Sequence, residues 1–185
     1  MKKNYLLVLV LFAPLSFYGQ NDNIQQKNDW KKIIVDNSIS LSAPFEMKSV
    51  NLAIEESAKQ KIDKYITYSG QDKTESFVVM VISAMYKPPI EVNLDGALTG
   101  SMNGFKTSDI TVHYDQKSIN AFGIKGISAI GYYEDTTISK KTFFEDYFFG
   151  KGNKYWNVLI LYETDNQENK AMAKRVFDSV EINSN

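Results

Sequence analysis

The stretch KKTFFEDYFFGKGNKYWNVLILYE, residues 140–163, decides the fold because it packs eight aromatic residues into two β-rich runs separated by a glycine turn. Side chains alternate between the two faces of a β-strand. The first run therefore has Phe144 and Phe148 on one face and Phe143, Tyr147 and Phe149 on the other, while the second has Trp156, Val158, Ile160 and Tyr162 on a common face. Two such runs predict neighbouring strands of a sheet that has aromatic side chains on both faces.

The role of these rings follows from the apolar surface they carry. Eight rings that bury roughly 150–250 Å² each contribute on the order of 40 kcal/mol of gross burial at about 25 cal/mol/Å². Because the chain has no cysteine and therefore no disulfide, we expect most of this surface in the core. Two alternatives stay open. Either Phe143, Tyr147, Phe149 and Trp156 form a partly exposed protein-binding face, or rings of this set line a pocket for a lipid or another small molecule.

Composition and charge exclude several classes of protein. The chain has 22 acidic and 21 basic residues, whereas nucleic-acid-binding proteins present a basic face. Glu145 and Asp146 also interrupt the aromatic stretch, where a surface that stacks on nucleic acid needs Lys or Arg. No run of Lys and Arg suggests binding to an anionic membrane surface. The absence of cysteine removes thiolate nucleophiles, cysteine metal sites and a lipid-bearing cysteine.

The N-terminus has the order of a secretory signal peptide. Lys2 and Lys3 precede an apolar run over residues 5–15, and a polar stretch follows over residues 20–29. The run is shorter than the roughly 20 apolar residues that span a bilayer, and no later segment is long and apolar enough. We therefore predict a signal peptide over residues 1–20 that is cleaved near Gly19 or Gln20, a polar linker over 21–29 and one domain over 30–185. The mature chain is expected in the periplasm or outside the cell.

The remaining pattern predicts an α+β domain with one mainly antiparallel sheet. Strands are expected in NSISLSAPFEM, on both sides of a hairpin loop at residues 70–75, and in ITVHYD and GIKGISAIGYYED. The strand that begins at Phe77 is apolar on both faces, so both faces should be covered. Asn93 is expected to cap a helix whose Leu94, Leu98, Met102 and Phe105 form one apolar stripe, with a stop at Asn103 and Gly104. A second helix is expected over residues 166–177. Residues 51–64 predict a loop with a short helix.

Taken together, the segments SISLSAPFEM, GIKGISAIGYY and KYWNVLILYE and the closing VFDSVEI resemble the PsbP-like fold. This fold is shared by the extrinsic subunit P of photosystem II and by Mog-type Ran-binding proteins, and the resemblance covers residues 30–182. It implies an α/β/α sandwich, a mainly antiparallel sheet flanked by helices, that acts as a binding or assembly module without a catalytic centre. No residue here matches a photosystem-binding or Ran-binding motif, so neither activity is carried over.

The candidate chemistry in the sequence is sparse. His113 could ligate a metal with Asp109 and Asp115, but one imidazole with two strand carboxylates is a weak set, and a surface histidine is the preferred interpretation. NLDGALTG lacks the repeated acids and closing Glu of a calcium loop. Glu145 and Asp146 are neighbours on a strand and should point to opposite faces, so they cannot act together as acid and base. We assign no catalytic, cofactor-binding or metal-binding residue.

These observations predict a non-enzymatic binding or assembly accessory protein of the bacterial cell envelope or extracellular space. Its expected partner is another envelope or secreted protein. The alternative is a carrier of a small molecule or lipid, which would use the aromatic strand pair around Phe143, Tyr147 and Trp156 as the lining of a pocket. Enzyme activity is the third possibility, and the oligomeric state is open.

Overall fold

A computed structural model describes residues 30–52, 54 and 56–184. The predicted signal peptide, its cleavage region at Gly19 and Gln20, and the linker over 21–29 lie outside these residues. The main element is an antiparallel sheet of seven strands. They are β3 (Lys48–Ser49), β4 (Ile62–Gln71), β5 (Phe77–Tyr86), β6 (Ile110–Ala121), β7 (Ile124–Asp135), β8 (Lys140–Lys151) and β9 (Lys154–Tyr162), in the spatial order β3-β4-β5-β9-β8-β7-β6.

Different layers cover the two faces of this sheet. One face packs against the helix α2 (Leu94–Phe105). The other face packs against the helix α3 (Gln167–Asp178) and a small sheet of three antiparallel strands, β1 (Lys31–Asp36), β2 (Ile39–Ala43) and β10 (Glu181–Ile182). The short helix α1 (Glu56–Lys59) precedes β4. The predicted α+β class, with a mainly antiparallel sheet flanked by helices, is confirmed. The small sheet, which we did not predict as a separate layer, shares one flank with α3.

Both long helices begin after an asparagine cap, of which Asn93 was predicted as a cap and Asn166 as the first residue of its helix. Asn93 Oδ1 accepts the backbone N–H of Gly96 at 3.1 Å, and Asn166 Oδ1 accepts the N–H of Asn169 at 2.8 Å. Such caps satisfy backbone donors that have no partner within the first turn. The helix α2 buries Leu98, Met102 and Phe105 from the predicted apolar stripe, together with Ala97, Gly100 and Ser101. The sequence pattern thus located the beginning of α2 and placed both ends of α3 to within one residue.

The strand β5 belongs to both cores. Phe77, Val79 and Val81 pack on the side of the small sheet, whereas Met80 and Ile82 pack under α2. A strand in the middle of a sheet that is covered on both faces needs apolar side chains at every position. The predicted hairpin between β4 and β5 is also confirmed, with Ile66 opposite Ser83 in its ladder.

The aromatic stretch of β8 and β9 lies in the interior. Tyr147, Phe149 and Trp156 expose 8%, 0% and 1% of their surface, and Tyr147 stacks on Phe177 of α3 at 4.0 Å between ring centroids. Phe143 is half-buried and stacks on Tyr162 at 5.9 Å. The interpretation of these rings as core agrees with this burial.

Candidate functional site

The most developed polar cluster lies in the turn between β1 and β2. The carboxylate of Asp36 accepts the backbone N–H groups of Ser38 and Ile39 at 2.8 and 3.1 Å, and the Ser38 hydroxyl at 2.7 Å. Asp commonly shapes a turn in this way, because its short side chain reaches backbone donors two and three residues ahead. The loop is therefore held in one conformation at the end of the sheet.

Two residues of the large sheet complete this cluster. Ser83 of β5 donates its hydroxyl to Asp36 at 2.8 Å, and Trp156 of β9 donates its Nε1–H to the Ser38 hydroxyl at 2.8 Å. Asn183 donates its backbone N–H to the Ser38 carbonyl at 2.8 Å. The turn is thus tied to both sheets by hydrogen bonds between residues far apart in the sequence.

Lysines line the rim of a cavity of about 210 Å³ beside this cluster. Met85 of β5 lies opposite Lys64 of β4 on one side and Lys154 of β9 on the other, and Lys151 of β8 lies opposite Lys154. Residues directly opposite in a ladder share a face of the sheet. We call the cavity, with Asp36, Ser38, Ser83 and Trp156 at its base and Lys64 and Lys154 at its rim, the basic cleft.

The electrostatics of the basic cleft favour binding over catalysis. Burial alone would raise the pKa of Asp36, but hydrogen bonds from Ser38 and Ser83 and the nearby Lys64 hold that pKa below its ordinary value. The Lys64 ammonium lies 3.6 Å from the Asp36 carboxylate. A carboxylate with a lowered pKa is a weak general base, so it is poorly suited to activate either serine hydroxyl. Asp36 instead keeps the base of the cleft rigid.

The four residues of the predicted binding face share one face of the large sheet, with Phe149 directly opposite Trp156, but they have different surroundings. Trp156 reaches the base of the basic cleft through its Nε1–H. Tyr147 and Phe149 pack against Phe177 instead, and Phe143 belongs to a row of rings across the sheet. The row joins His113, Tyr132, Phe143, Tyr162 and Phe77 as direct neighbours on five adjacent strands.

Glu145 and Asp146 point to opposite faces of β8, as predicted. Glu145 accepts the hydroxyl of Tyr147 at 2.6 Å on the side of the small sheet. Asp146 accepts the hydroxyl of Ser101 in α2 at 2.7 Å and the amide of Asn157 on the other side. Asp146 is 0% exposed, and burial raises its pKa to about 7. These carboxylates are internal parts of the two cores and do not line the basic cleft.

His113 is exposed on β6 and stacks on Tyr132 at 4.9 Å, which agrees with the preferred interpretation as a surface histidine. Within residues 30–52, 54 and 56–184, no three His, Asp or Glu side chains converge as a metal site would require. Over the same residues, no helix has the length and apolar character needed to cross a membrane.

Comparison with solved structures identifies the architecture. The solution structure of the cyanobacterial PsbP (CyanoP) of Synechocystis sp. PCC 6803 superimposes with a TM-score of 0.52 at 12% identity, covering 92% of this chain and 100% of that one. The chain has a PsbP-like fold. The same PsbP-like architecture matches LpqN, a protein involved in cell envelope biogenesis in Mycobacterium tuberculosis, with a TM-score of 0.50 at 14% identity over 83% of this chain and 90% of LpqN. No protein-family model and no curated protein matches the chain.

The basic cleft was not predicted, because its parts are dispersed in the sequence. Asp36, Ser83 and Trp156 come from three strands, and the lysines that line the rim form no run in the sequence. A partial signal was available in the aspartate that precedes NSISL, since Asp before Ser and a strand is typical of a tight turn. The meeting of Lys64 with Lys154 across Met85 depends on strand order and register.

Proposed function

We propose that this protein is an exported, non-enzymatic accessory protein of the cell envelope or extracellular space, and that its basic cleft binds an acidic group of another envelope or secreted protein. The observation that carries the proposal is the rigid polar base of the cleft beneath Lys64 and Lys154. Preorganised sites bind more tightly because less conformational entropy is lost on binding. The predicted signal peptide over residues 1–20 supports export.

The fold comparison supports the envelope setting. LpqN shares this architecture and is involved in cell envelope biogenesis, and the resemblance to the PsbP-like fold implies a binding or assembly module. The lowered pKa of Asp36 makes this carboxylate a weak base, which also supports a binding function over a catalytic one. We therefore expect acidic side chains of the partner to lie between the two lysine ammonium groups.

The size of the cleft supports a protein partner over a carried small molecule. A cavity of about 210 Å³ is smaller than the roughly 300–1,000 Å³ of typical ligand pockets, and it suits one or two side chains. The carrier hypothesis relied on Phe143, Tyr147 and Trp156 as a pocket lining. Tyr147 stacks on Phe177 and Phe143 stacks on Tyr162, so these rings give that hypothesis no specific support.

The test is a crosslinking capture from envelope and secreted fractions with the mature chain. Lys64→Gln combined with Lys154→Gln removes both rim charges while keeping side chains of similar length. The control, Lys31→Gln combined with Lys125→Gln, makes the same charge change at exposed positions of β1 and β7. We expect the rim variant to bind the captured partner about tenfold more weakly, and the binding of the unmodified protein to weaken with added salt.

Two results would argue against this function. Equal capture by the rim variant and the control would show that the basic cleft is not the binding site. If no envelope or secreted protein is enriched by the unmodified chain, the accessory role itself is wrong. Native mass spectrometry of protein purified from its source addresses the carrier alternative, since a carrier would retain a bound ligand mass.

A further inference from the structure

The strand β6 ends the seven-stranded sheet, and no strand among the described residues pairs with its outer edge. Its side chains at residues 113–118 are all exposed, and Tyr114 on β6 and Ile130 on β7 expose 39% and 45% of their surface. A long open edge carries unpaired backbone N–H and C=O groups, which favour pairing with another strand. We propose that β6 pairs antiparallel with β6 of a second copy of this chain, joining the two large sheets into one.

The β6–β7 hairpin determines which backbone groups are available for such pairing. Its turn consists of Phe122 and Gly123, both with positive φ, and Ala121 lies opposite Ile124. A two-residue turn of this kind is closed by a hydrogen-bonded pair, and such pairs alternate with non-bonded pairs along the ladder. The odd-numbered residues of β6 therefore bond to β7. The even-numbered residues direct their N–H and C=O groups to the open edge.

Symmetry then limits the register. A two-fold axis perpendicular to the sheet keeps each face on its own side, so it pairs residues that point to the same face. Even-numbered residues then pair with even-numbered residues, and their outward backbone groups meet whether the axis passes an even-numbered or an odd-numbered residue. The two axes nearest the middle of the 12-residue strand pass Asp115 and Gln116. An axis at Gln116 pairs residues 111–121 of the two copies, and an axis at Asp115 pairs residues 110–120.

The charges of β6 select the axis at Gln116, because an axis at Asp115 would place the two Asp115 carboxylates directly opposite each other. With the axis at Gln116, Asp115 lies opposite Lys117 of the second copy, and Lys117 lies opposite Asp115 of that copy. Opposite charges that face each other across an antiparallel pair stabilise it. A lysine on an edge strand normally discourages strand addition, because most incoming strands bring no charge to compensate it. A second copy supplies the carboxylate at the required position, which makes it a better occupant than an unrelated strand.

The absence of cysteine in the chain allows the register to be tested directly. In the proposed dimer the two Gln116 residues form a hydrogen-bonded pair with Cα atoms about 5.5 Å apart, which is within the range of a disulfide. We expect Gln116→Cys in the mature chain to give a disulfide-linked dimer under mild oxidation. Asn120→Cys is the matched control, since Asn120 lies opposite Val112 of the second copy. The two Asn120 residues are therefore too far apart to form a disulfide.

Charge reversal tests the same register without a covalent bond. Lys117→Glu creates two like-charged pairs and is expected to weaken the dimer about tenfold in sedimentation measurements, as is Asp115→Lys. Combining the two changes restores opposite charges and should restore the dimer. Lys31→Glu on β1 is the control with the same change of charge.

Three outcomes would overturn the proposal. The first is a mature chain that stays monomeric as its concentration is raised. The second is a combined variant that associates no better than the single variants. The third is a dimer in which Gln116→Cys does not crosslink or Asn120→Cys crosslinks equally well, because association would then use another register or surface. None of these outcomes bears on the basic cleft, so the proposed function is tested separately.

Discussion

Asp36 and Asp146 are both hydrogen-bonded by serine, yet their surroundings shift their pKa values in opposite directions. Asp36 lies at the base of the basic cleft, where Ser38, Ser83 and the nearby Lys64 lower its pKa. Asp146 lies between α2 and the sheet, where complete burial raises its pKa to about 7 in spite of the hydrogen bonds from Ser101 and Asn157. The same side chain is therefore an ionised anchor at one place and a largely protonated one at the other below neutral pH.

The difference comes from desolvation. A buried carboxylate loses its hydration, and two neutral donors replace only part of what water provides. Around Asp36, two backbone N–H groups, two hydroxyls and an ammonium together compensate for a smaller loss of hydration of the carboxylate. Asp36 accepts four hydrogen bonds, whereas Asp146 accepts two. The comparison teaches that the depth of burial and the number of hydrogen-bond donors decide the charge state, and Lys64 adds to the effect at Asp36.

The largest effect is expected from Asp146→Ala. This change leaves the Ser101 hydroxyl without its acceptor, leaves the Asn157 amide with only the Tyr147 carbonyl and opens a small cavity, so we expect a loss of about 2–4 kcal/mol in unfolding free energy at pH 5. Urea unfolding followed by circular dichroism measures it. Asp146→Asn is the control, because its amide can donate to Ser101 while its carbonyl accepts from Asn157. A loss as large in Asp146→Asn would contradict this account.

The pH dependence of stability separates the two aspartates. Because the pKa of Asp146 is raised from 3.8 to about 7, the folded protein holds a proton over this range that the unfolded chain has lost. The contribution of Asp146 to stability should therefore fall by at most about 1.4 kcal/mol per pH unit as pH rises from about 4 to about 7. Above this range it should level off. Asp146→Asn should be as stable as the unmodified protein below about pH 4 and should become increasingly more stable than it as pH rises to about 8.

Asp36 should show the opposite sign. Its lowered pKa contributes stability above the ordinary value of 3.8, and this contribution is lost as pH falls through the folded-state pKa. Asp36→Asn should therefore be less stable than the unmodified protein at neutral pH, and the two should converge in acid. Unfolding curves for both variants at matched pH values compare the two sites. If both stability differences change with pH in the same direction, the contrast is wrong.

The smallest effects are expected at the partners of Asp36. Ser83→Ala removes one of several hydrogen bonds to this carboxylate, and we expect a loss of about 1 kcal/mol. Lys64→Gln removes an ion pair at 3.6 Å whose lysine side chain is 52% exposed, and solvent screening limits the loss to less than about 0.5 kcal/mol. Thermal unfolding at neutral pH ranks the two variants. A larger loss of stability in Lys64→Gln than in Ser83→Ala would show that the lysine ammonium is the more important partner of Asp36.

Local patterns predicted the elements of this fold well. Asn93 and Asn166 marked the beginnings of the two long helices, because a cap satisfies backbone donors only a few residues away. Strand alternation assigned the rings of β8 and β9 to their faces and put Glu145 and Asp146 on opposite sides. The extended resemblance to the PsbP-like fold was also confirmed. The capping and alternation signals act over one turn of helix or a few positions of a strand.

The candidate site was not predicted, because no local rule reports it. The hydrogen bonds from Ser83 and Trp156 to the β1–β2 turn join residues 47 and 118 positions apart. The separate three-stranded sheet depends on β10 near the C-terminus pairing with β2 near the start of the described chain. Asp146 was visible as a polar residue in an apolar strand, but its burial under Ser101 follows only from where α2 packs.

By itself, the amino-acid sequence determined the identity of the strands and helices, the faces of the aromatic strands and the absence of cysteine chemistry, because periodicity, capping and composition are local properties. Tertiary structure decided which side chains meet. Strand order placed Lys64 and Lys154 on either side of Met85. Tertiary packing also buried Asp146 and brought hydrogen-bond donors to Asp36, which gives the two carboxyls opposite pKa shifts. These outcomes depend on register and desolvation, which arise only when distant segments of the chain come together.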